Sequence, residues 1–463
     1  MSIVEPPTGV PGDLLRAISE CTGRVTFVLG AGCSLEPPTN LKLSSAYSQD
    51  IFEALVADGE IEPDECADPA DLSRLATLVS DKFGDQRRVV ERLPHNDLRY
   101  AKANEGYLIV AALLVEGAVS CVATLNYDLA LTDAVRQLDG RGVNEIAGPT
   151  HLQDFGSSAI VYLHRNVNEQ DPEKWILRKE ALDTEWAGGW ESVVAARLAS
   201  SPVVVFAGLG SPAAVLTDAV ARIRNLVPDA LTAYLADPSE TSEFATALQL
   251  PAENHIHAGW CDFMRMLAER MALRSRTEMR KACESLISGN GWADGASVVE
   301  RMCDAYQLGG LLTLGRVRAA WLLSDRSYEP DRESQRDLIA DLLLGVGLIT
   351  RDTTSVSLQP DGIAVLTPDT GAPRRVMAVS GRGTRRWSQL DPVLGSLAAN
   401  SSTAPELVIT SGFQGPRLSE FAPPYDIVTE PQPDDIRAGV PFPRVLSVDD
   451  LRTDPELVLE VAC

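Results

Sequence analysis

Five short segments of this 463-residue chain collect the side chains able to do chemistry. The first is Gly30-Ala31-Gly32-Cys33-Ser34, directly after the apolar run at 24–29 (RVTFVL). Glycines at the end of a strand let the backbone turn tightly and approach a pyrophosphate, whose charge the free amides of a helix N-terminus can hold. The Ser34 hydroxyl adds a group for a phosphate or a ribose. The same glycines also serve any tight turn of an α/β protein. The second segment is Thr124-Leu125-Asn126-Tyr127-Asp128, where a carboxamide at a strand end can hold a water or a ribose hydroxyl and Asp128 can fix the polar network around it. Asn and Asp are equally suited to cap the helix that follows. The third is Tyr162-Leu163-His164-Arg165, which puts one of only five histidines at a strand end, placed for proton transfer near neutral pH. Gly208-Leu209-Gly210-Ser211 repeats the logic of the first segment. Asp237, after LTAYLA, suits an adenosine ribose or, with Pro238, a plain turn start.

These segments need strands to carry them, and the sequence supplies five. Residues 24–29, 120–125 (SCVATL), 159–163 (AIVYL), 202–207 (PVVVFA) and 231–235 (LTAYL) are apolar or β-branched almost throughout, as strands covered on both faces are. Helical patterns lie between them at 70–82, 104–116, 129–137, 191–199 and 213–225. Alternation of this kind predicts a doubly wound, mostly parallel, Rossmann-like sheet, in which ligands collect at the carboxyl ends of the strands. The character changes after about residue 272. Residues 273–350 form a helical segment, and 351–463 a small mixed α/β domain suited to sensing or oligomerisation, with hairpin turns at Asp361-Gly362 and Thr370-Gly371. Asp361 raises the alternative of a nuclease-like fold, but the facing strand VMAVS lacks the acidic residue and lysine of such a metal site.

Bulk properties narrow the partners. Hydrophobic residues make up 45% and charged residues 23%, the balance of a globular protein. A formal net charge of −24 disfavours direct contact with nucleic acid and with anionic lipid. No apolar run reaches the roughly 18 to 20 residues that span a bilayer, and the N-terminus reads unlike a signal peptide. The eight cysteines contain no CxxC pair, which fits reduced thiols in a cytoplasmic protein.

In order, VLGAGCS, TLNYD, YLHRN and FAGLGSP resemble the motif series of sirtuins, and more nearly the sirtuin-like NADases of bacterial anti-phage defence. HAGWCDFMRML at 257–267 resembles the helix that closes many such domains. The resemblance covers roughly residues 20–272. It implies a domain at 1–272 that binds NAD as substrate and hydrolyses it to nicotinamide and ADP-ribose. Gly30, Ala31, Gly32 and Ser34 would form the dinucleotide loop, with Thr124, Gly208, Gly210, Ser211 and Asp237 as further ligand contacts. Asn126 and Asp128 would flank the nicotinamide ribose, and His164 would be the catalytic histidine. Two departures stand out: Arg165 follows the histidine, and the glycine–serine motif carries an extra glycine. Sirtuin deacylases also carry a four-cysteine zinc module, whereas no cysteine occurs between Cys121 and Cys261. No zinc is expected, and deacylation gives way to hydrolysis. Such an activity would be latent until triggered, with a homo-oligomer and a partner protein, an ATPase or a phage-derived trigger, as the expected company. The other class of reading is a non-catalytic NAD or ADP-ribose binder or scaffold subunit.

Overall fold

Five runs of β-branched and small apolar residues form the centre of the first of two structural units. In the computed structural model the chain divides into 1–270 and 271–463. The structure describes residues 9–20, 23–138, 140, 143–154, 158–178, 201–210, 217–218, 220–221, 231–288, 295–308, 310–312, 317, 320–321, 332–350, 353–359, 362–379, 405–411, 444–448 and 451.

The first unit holds a seven-stranded sheet. Its strands are β1 (Val25–Leu29), β2 (Val119–Thr124), β3 (Asn144–Ile146), β4 (Ala159–Tyr162), β5 (Val203–Ala207), β6 (Thr232–Ala236) and β7 (His255–Ile256). They run side by side as β3-β4-β2-β1-β5-β6-β7, every pairing parallel. Parallel neighbours must be joined by crossovers that cover the faces of the sheet, so these strands are buried on both sides. All five residues of β1 and all four of β4 are buried. The strand order reverses between β1 and β5: β2 follows β1 on one side, and the chain returns to the other side with β5. In doubly wound sheets such a reversal is where ligands collect, here at the carboxyl end of β1.

Nine helices are named here, α1 to α9. In the first unit α1 is Gly12–Ser19, α2 Ser44–Ala57, α3 Leu72–Phe83, α4 Arg87–Arg92, α5 His95–Arg99, α6 Glu105–Val115, α7 Ala130–Gln137 and α8 Glu243–Ala247, while α9 (Trp260–Ser288) starts there and runs past its last residue, Arg270. The Asp71 carboxylate accepts from the amides of Ser73 and Arg74 and starts α3, and Gly84 ends it in a left-handed conformation. Asn104 caps α6 through the Tyr107 amide. Helix α6 is buried along almost its whole length, which suits its apolar sequence EGYLIVAALLV. The 70–82, 104–116 and 129–137 patterns thus appear within two residues of their expected ends. Those at 191–199 and most of 213–225 lie outside the described residues.

The second unit contains helices Gly295–Leu308 and Arg332–Leu348 and a separate five-stranded sheet, β12-β11-β10-β9-β8. Strands β8 (Thr353–Leu358), β9 (Ile363–Pro368) and β10 (Arg374–Val379) pair antiparallel, while β10, β11 (Leu407–Thr410) and β12 (Arg444–Ser447) are parallel. Gly362 and Gly371 have φ of 84° and 112°, the left-handed values that tight hairpin turns demand. Asp361 lies outside the described residues. A single apolar core joins Met302, Trp321, Leu343 and Val346 to Ala364, Ala378 and Ile409 of the sheet.

Candidate active site

The site begins where β1 and β5 end together. The Gly30 amide donates to the Ala207 carbonyl at 2.9 Å, the Gly32 amide to Gly208 at 2.9 Å, and the Cys33 amide back to Gly30 at 3.0 Å. These bonds fold 31–34 into a single turn of 3-10 helix. The turns are so close that no side chain fits between them. A Cβ on Gly32 would stand 2.8 Å from Gly208 Cα, and one on Gly208 would stand 2.5 Å from the Cys33 amide nitrogen. Gly208 also has a φ of 66°, so glycine is required there twice over. Three amides of the expected dinucleotide loop are therefore engaged in holding the two turns together. Those of Ala31 and Gly210 have no partner among the described residues and border the same seam.

A buried polar network connects this seam to the end of β2. The Asn126 carboxamide nitrogen donates toward the Gly30 carbonyl at 3.0 Å, the Tyr107 hydroxyl at 3.0 Å and the Ser34 hydroxyl at 3.2 Å. A reversed amide would set its oxygen against the Gly30 carbonyl oxygen, so the carbonyl fixes the orientation. The Asn126 Oδ1 is left without a partner among the described residues. The Ser34 hydroxyl donates to Asp128 Oδ2 at 2.9 Å, and the Tyr107 hydroxyl lies 2.8 Å from Ser34 Oγ. Since the Ser34 proton goes to Asp128, Tyr107 must donate to Ser34. The order of donation is Asn126 to Tyr107 to Ser34 to Asp128.

Burial decides the electrostatics of this network. Ser34, Tyr107, Asn126 and Asp128 are at most 7% exposed. Desolvation raises the Asp128 carboxyl above its ordinary value, partly opposed by hydrogen bonds from the Ala130 amide and Ser34. Tyr107 is pushed well above the phenol range by burial and by the Asp128 charge. Asp128 also serves the backbone, since its Oδ1 accepts from the Ala130 amide at 3.0 Å as α7 begins. Both roles open to it in the sequence, network and helix start, are filled at once.

His164 stands at the end of β4, the strand beside β2. Its ring hydrogen-bonds the backbone of Leu125, one residue before Asn126. Desolvation, with a smaller push from the Arg165 charge, lowers its pKa from 6.5 to about 4. The ring faces Tyr127 at 6.1 Å between centroids, and Tyr127 stacks on Trp175 at 4.8 Å. Arg165 adopts a φ of 73°, a strained value for a residue with a side chain. Thr124 accepts from the Asn126 amide at 3.0 Å and shapes that turn.

Gly30, Ser34, Asn126 and Asp128 therefore share one network, Gly32 and Gly208 close the seam beside it, and His164 lies on the adjacent strand end. Asp237 is not part of this assembly. It follows the last residue of β6, and its carboxylate accepts from the Ser239 amide at 2.8 Å, as a turn starter does. Gly210 is exposed, with open space where a Cβ would sit, and Ser211 lies outside the described residues. Sequence reasoning missed Tyr107. The available signal was Asn104-x-x-Tyr107, a cap whose first turn aims the phenol at the β1 turn. It is held by Asn104 Nδ2 donating to the Cys33 carbonyl at 2.7 Å and by Trp260 Nε1 donating to Asn104 Oδ1 at 3.3 Å. Gly106 permits that arrangement, because any Cβ there would collide with the Trp260 ring.

No family model matches the chain, and no curated protein matches it. Among solved structures, a Sir2 homologue in complex with NAD is 16% identical at a TM-score of 0.35, covering 57% of this chain and 96% of its own. A mutant Sir2 homologue in complex with ADP-ribose is 16% identical at a TM-score of 0.34, covering 57% of this chain and 98% of its own. Sir2 with an inhibitor, 2'-O-acetyl-ADP-ribose and a deacetylated p53 peptide is 16% identical at 0.29, covering 53% and 92%. Those ligands belong to those proteins. Among the described residues, no group of three or more His, Cys, Asp or Glu side chains could hold a metal ion. No helix among them is long and apolar enough to cross a membrane.

Proposed function

We propose that the first unit binds NAD across the carboxyl ends of β1, β2, β4 and β5 and hydrolyses it to nicotinamide and ADP-ribose. The observation that carries this reading is the buried network joining the β1 turn to the end of β2 through Asn126, with His164 on the next strand end. The residues present suit a dinucleotide. The glycine seam excludes side chains where a pyrophosphate must approach, and the amides of Ala31 and Gly210 border it. Asn126 Oδ1 is available to a water or a ribose hydroxyl.

In the reaction the bond between nicotinamide nitrogen and ribose carbon breaks, and its electron pair leaves with nicotinamide. Water adds to the carbon and releases a proton. The developing positive charge on the ribose is stabilised by fixed dipoles around it. Asn126 orients the water, neutral His164 accepts its proton, and Asp128 holds Ser34 and, through it, Tyr107 and Asn126 in place. The second unit serves sensing, oligomerisation or contact with a partner, and the activity stays latent until a trigger, as suits an effector of anti-phage defence.

One observation favours binding without turnover. An imidazole with a pKa near 4, beside Arg165, is a weak base at neutral pH. Nicotinamide release from NAD by the purified full chain, compared with His164→Ala and Asn126→Ala, separates the two readings. Turnover lost in both variants supports hydrolysis. Release retained in both overturns the assignment, and calorimetric binding of NAD with no release, even alongside its partner proteins, selects the binder.

A further inference from the structure

A cavity of about 690 Å³ opens between segment 38–42, helix α2 and the stretch 92–102. Its volume is that of a drug-sized ligand site. Among the described residues the carboxamides of Asn40 and Asn96, the carboxylate of Asp97 and the ammonium of Lys102 make no hydrogen bond or ion pair. The other two cations of the lining are spent, Lys42 on Asp50 at 2.6 Å and Arg92 on Asp58 and Glu60.

The apolar surface points to the same place. Among the described residues only Leu35, Leu43 and Tyr100 are exposed large hydrophobics. Tyr100 lines the cavity with 72% of its surface open, and Leu43 directly follows the lining residue Lys42. An exposed tyrosine ring in a cavity wall offers a face on which a planar group can stack. The wall is anchored elsewhere, by Thr39 donating to the Lys102 carbonyl at 2.7 Å and by the Lys42 amide donating to the Tyr47 hydroxyl at 3.2 Å. Anchoring through other atoms leaves the Lys102 ammonium available.

One ligand class uses all of these groups. A planar base stacks on a tyrosine, carboxamides match its hydrogen-bonding edge, a carboxylate accepts from the two hydroxyls of a ribose, and an ammonium meets a phosphate. We propose that this cavity is a binding site for a nucleoside monophosphate, with the base on Tyr100, the ribose on Asp97 and the phosphate on Lys102. The assignment does not depend on what the Asn126 network binds. The two places are nonetheless coupled by structure. The Leu41 amide donates to the Ser34 carbonyl at 3.0 Å, so the cavity wall and the network share one short segment.

Calorimetric titration of the full chain with AMP, GMP, CMP and UMP, and with adenosine and inorganic phosphate alone, tests this. At least one of the four nucleotides should bind, and should bind at least about tenfold more tightly than adenosine or phosphate. Tyr100→Ala and Lys102→Ala should each weaken binding about tenfold. Both cavity substitutions are at exposed positions, and their thermal melting should match the wild type. Absence of binding by all four nucleotides overturns the site. So does binding that is indifferent to Tyr100 and Lys102 but lost in Asn126→Ala, which would put the nucleotide at the strand ends.

Discussion

The carboxamide nitrogen of Asn126, at the end of β2, lies 3.0 Å from the carbonyl oxygen of Gly30, at the end of β1. That contact ties two turns 96 residues apart and is buried from water. Replacing the carboxamide by a carboxylate would set two acceptors against each other with no proton between them. Asn126→Asp should therefore destabilise the first unit by about 1–3 kcal/mol, the cost of an unpaired buried acceptor, with further loss from the buried charge. Asn126→Ala should cost less and still abolish nicotinamide release. Thermal melting of both variants checks the ranking, and a more stable Asp variant would contradict the geometry.

Tyr107 is tested separately, because its phenol has two partners and no solvent. Tyr107→Phe removes one oxygen from a site that is 1% exposed and leaves the ring packing in place. The Asn126 amide loses one acceptor and Ser34 Oγ loses one of its two donors, keeping only the longer one from Asn126 at 3.2 Å. Loss of about 1–2 kcal/mol is expected in denaturant unfolding, without any change in secondary structure. A neutral Phe variant would mean that water replaces the phenol oxygen.

The strands were legible because burial on both faces leaves a plain mark. Runs such as VTFVL and VVVFA have almost no polar residue, and each observed strand lies within one residue of the apolar run that announced it. Strands β3 and β7 were not legible, being three and two residues long at the sheet edges. Helices α2, α4 and α5 were missed for a related reason. Helix α2 (SSAYSQDIFEALVA) buries only Ser48, Ile51, Phe52 and Leu55, too thin a stripe to stand out. Of the network, Ser34, Asn126 and Asp128 were read from strand-end position. Tyr107 was not, since a tyrosine in the first turn of an apolar helix reads as core, and only the fold brings it to Ser34.

The two glycines of the GLG motif should respond unequally to substitution. Gly208 has a φ of 66° and would place a Cβ against the Cys33 amide, whereas Gly210 has open space around it. Gly208→Ala should lower stability by about 2 kcal/mol or more through backbone strain and separation of the β1 and β5 turns. Gly210→Ala should fall within about 0.5 kcal/mol of the wild type. Equal melting temperatures for the two would show that the turns are not packed against each other as described.

His164 makes the stability of the first unit sensitive to mild acid, with a sign that can be worked out. Its pKa is about 4 in the folded chain against an ordinary 6.5. Between these values the unfolded chain binds a proton at this position and the folded chain does not, so folding weakens as pH falls through the window. Above 6.5 both states are neutral and the contribution is constant; below about 4 both are charged and the slope ends. From pH 7 to pH 5 the wild type should lose about 2 kcal/mol more than His164→Gln, at 1.36 kcal/mol per unit of difference. Arg165→Ala should reduce this excess, because the Arg165 charge contributes to lowering the imidazole pKa. Urea unfolding of the three proteins at pH 7, 6 and 5 measures it. Parallel pH dependence in wild type and His164→Gln would mean that the imidazole is already solvated in the folded chain, and the burial that makes it a weak base would then be absent.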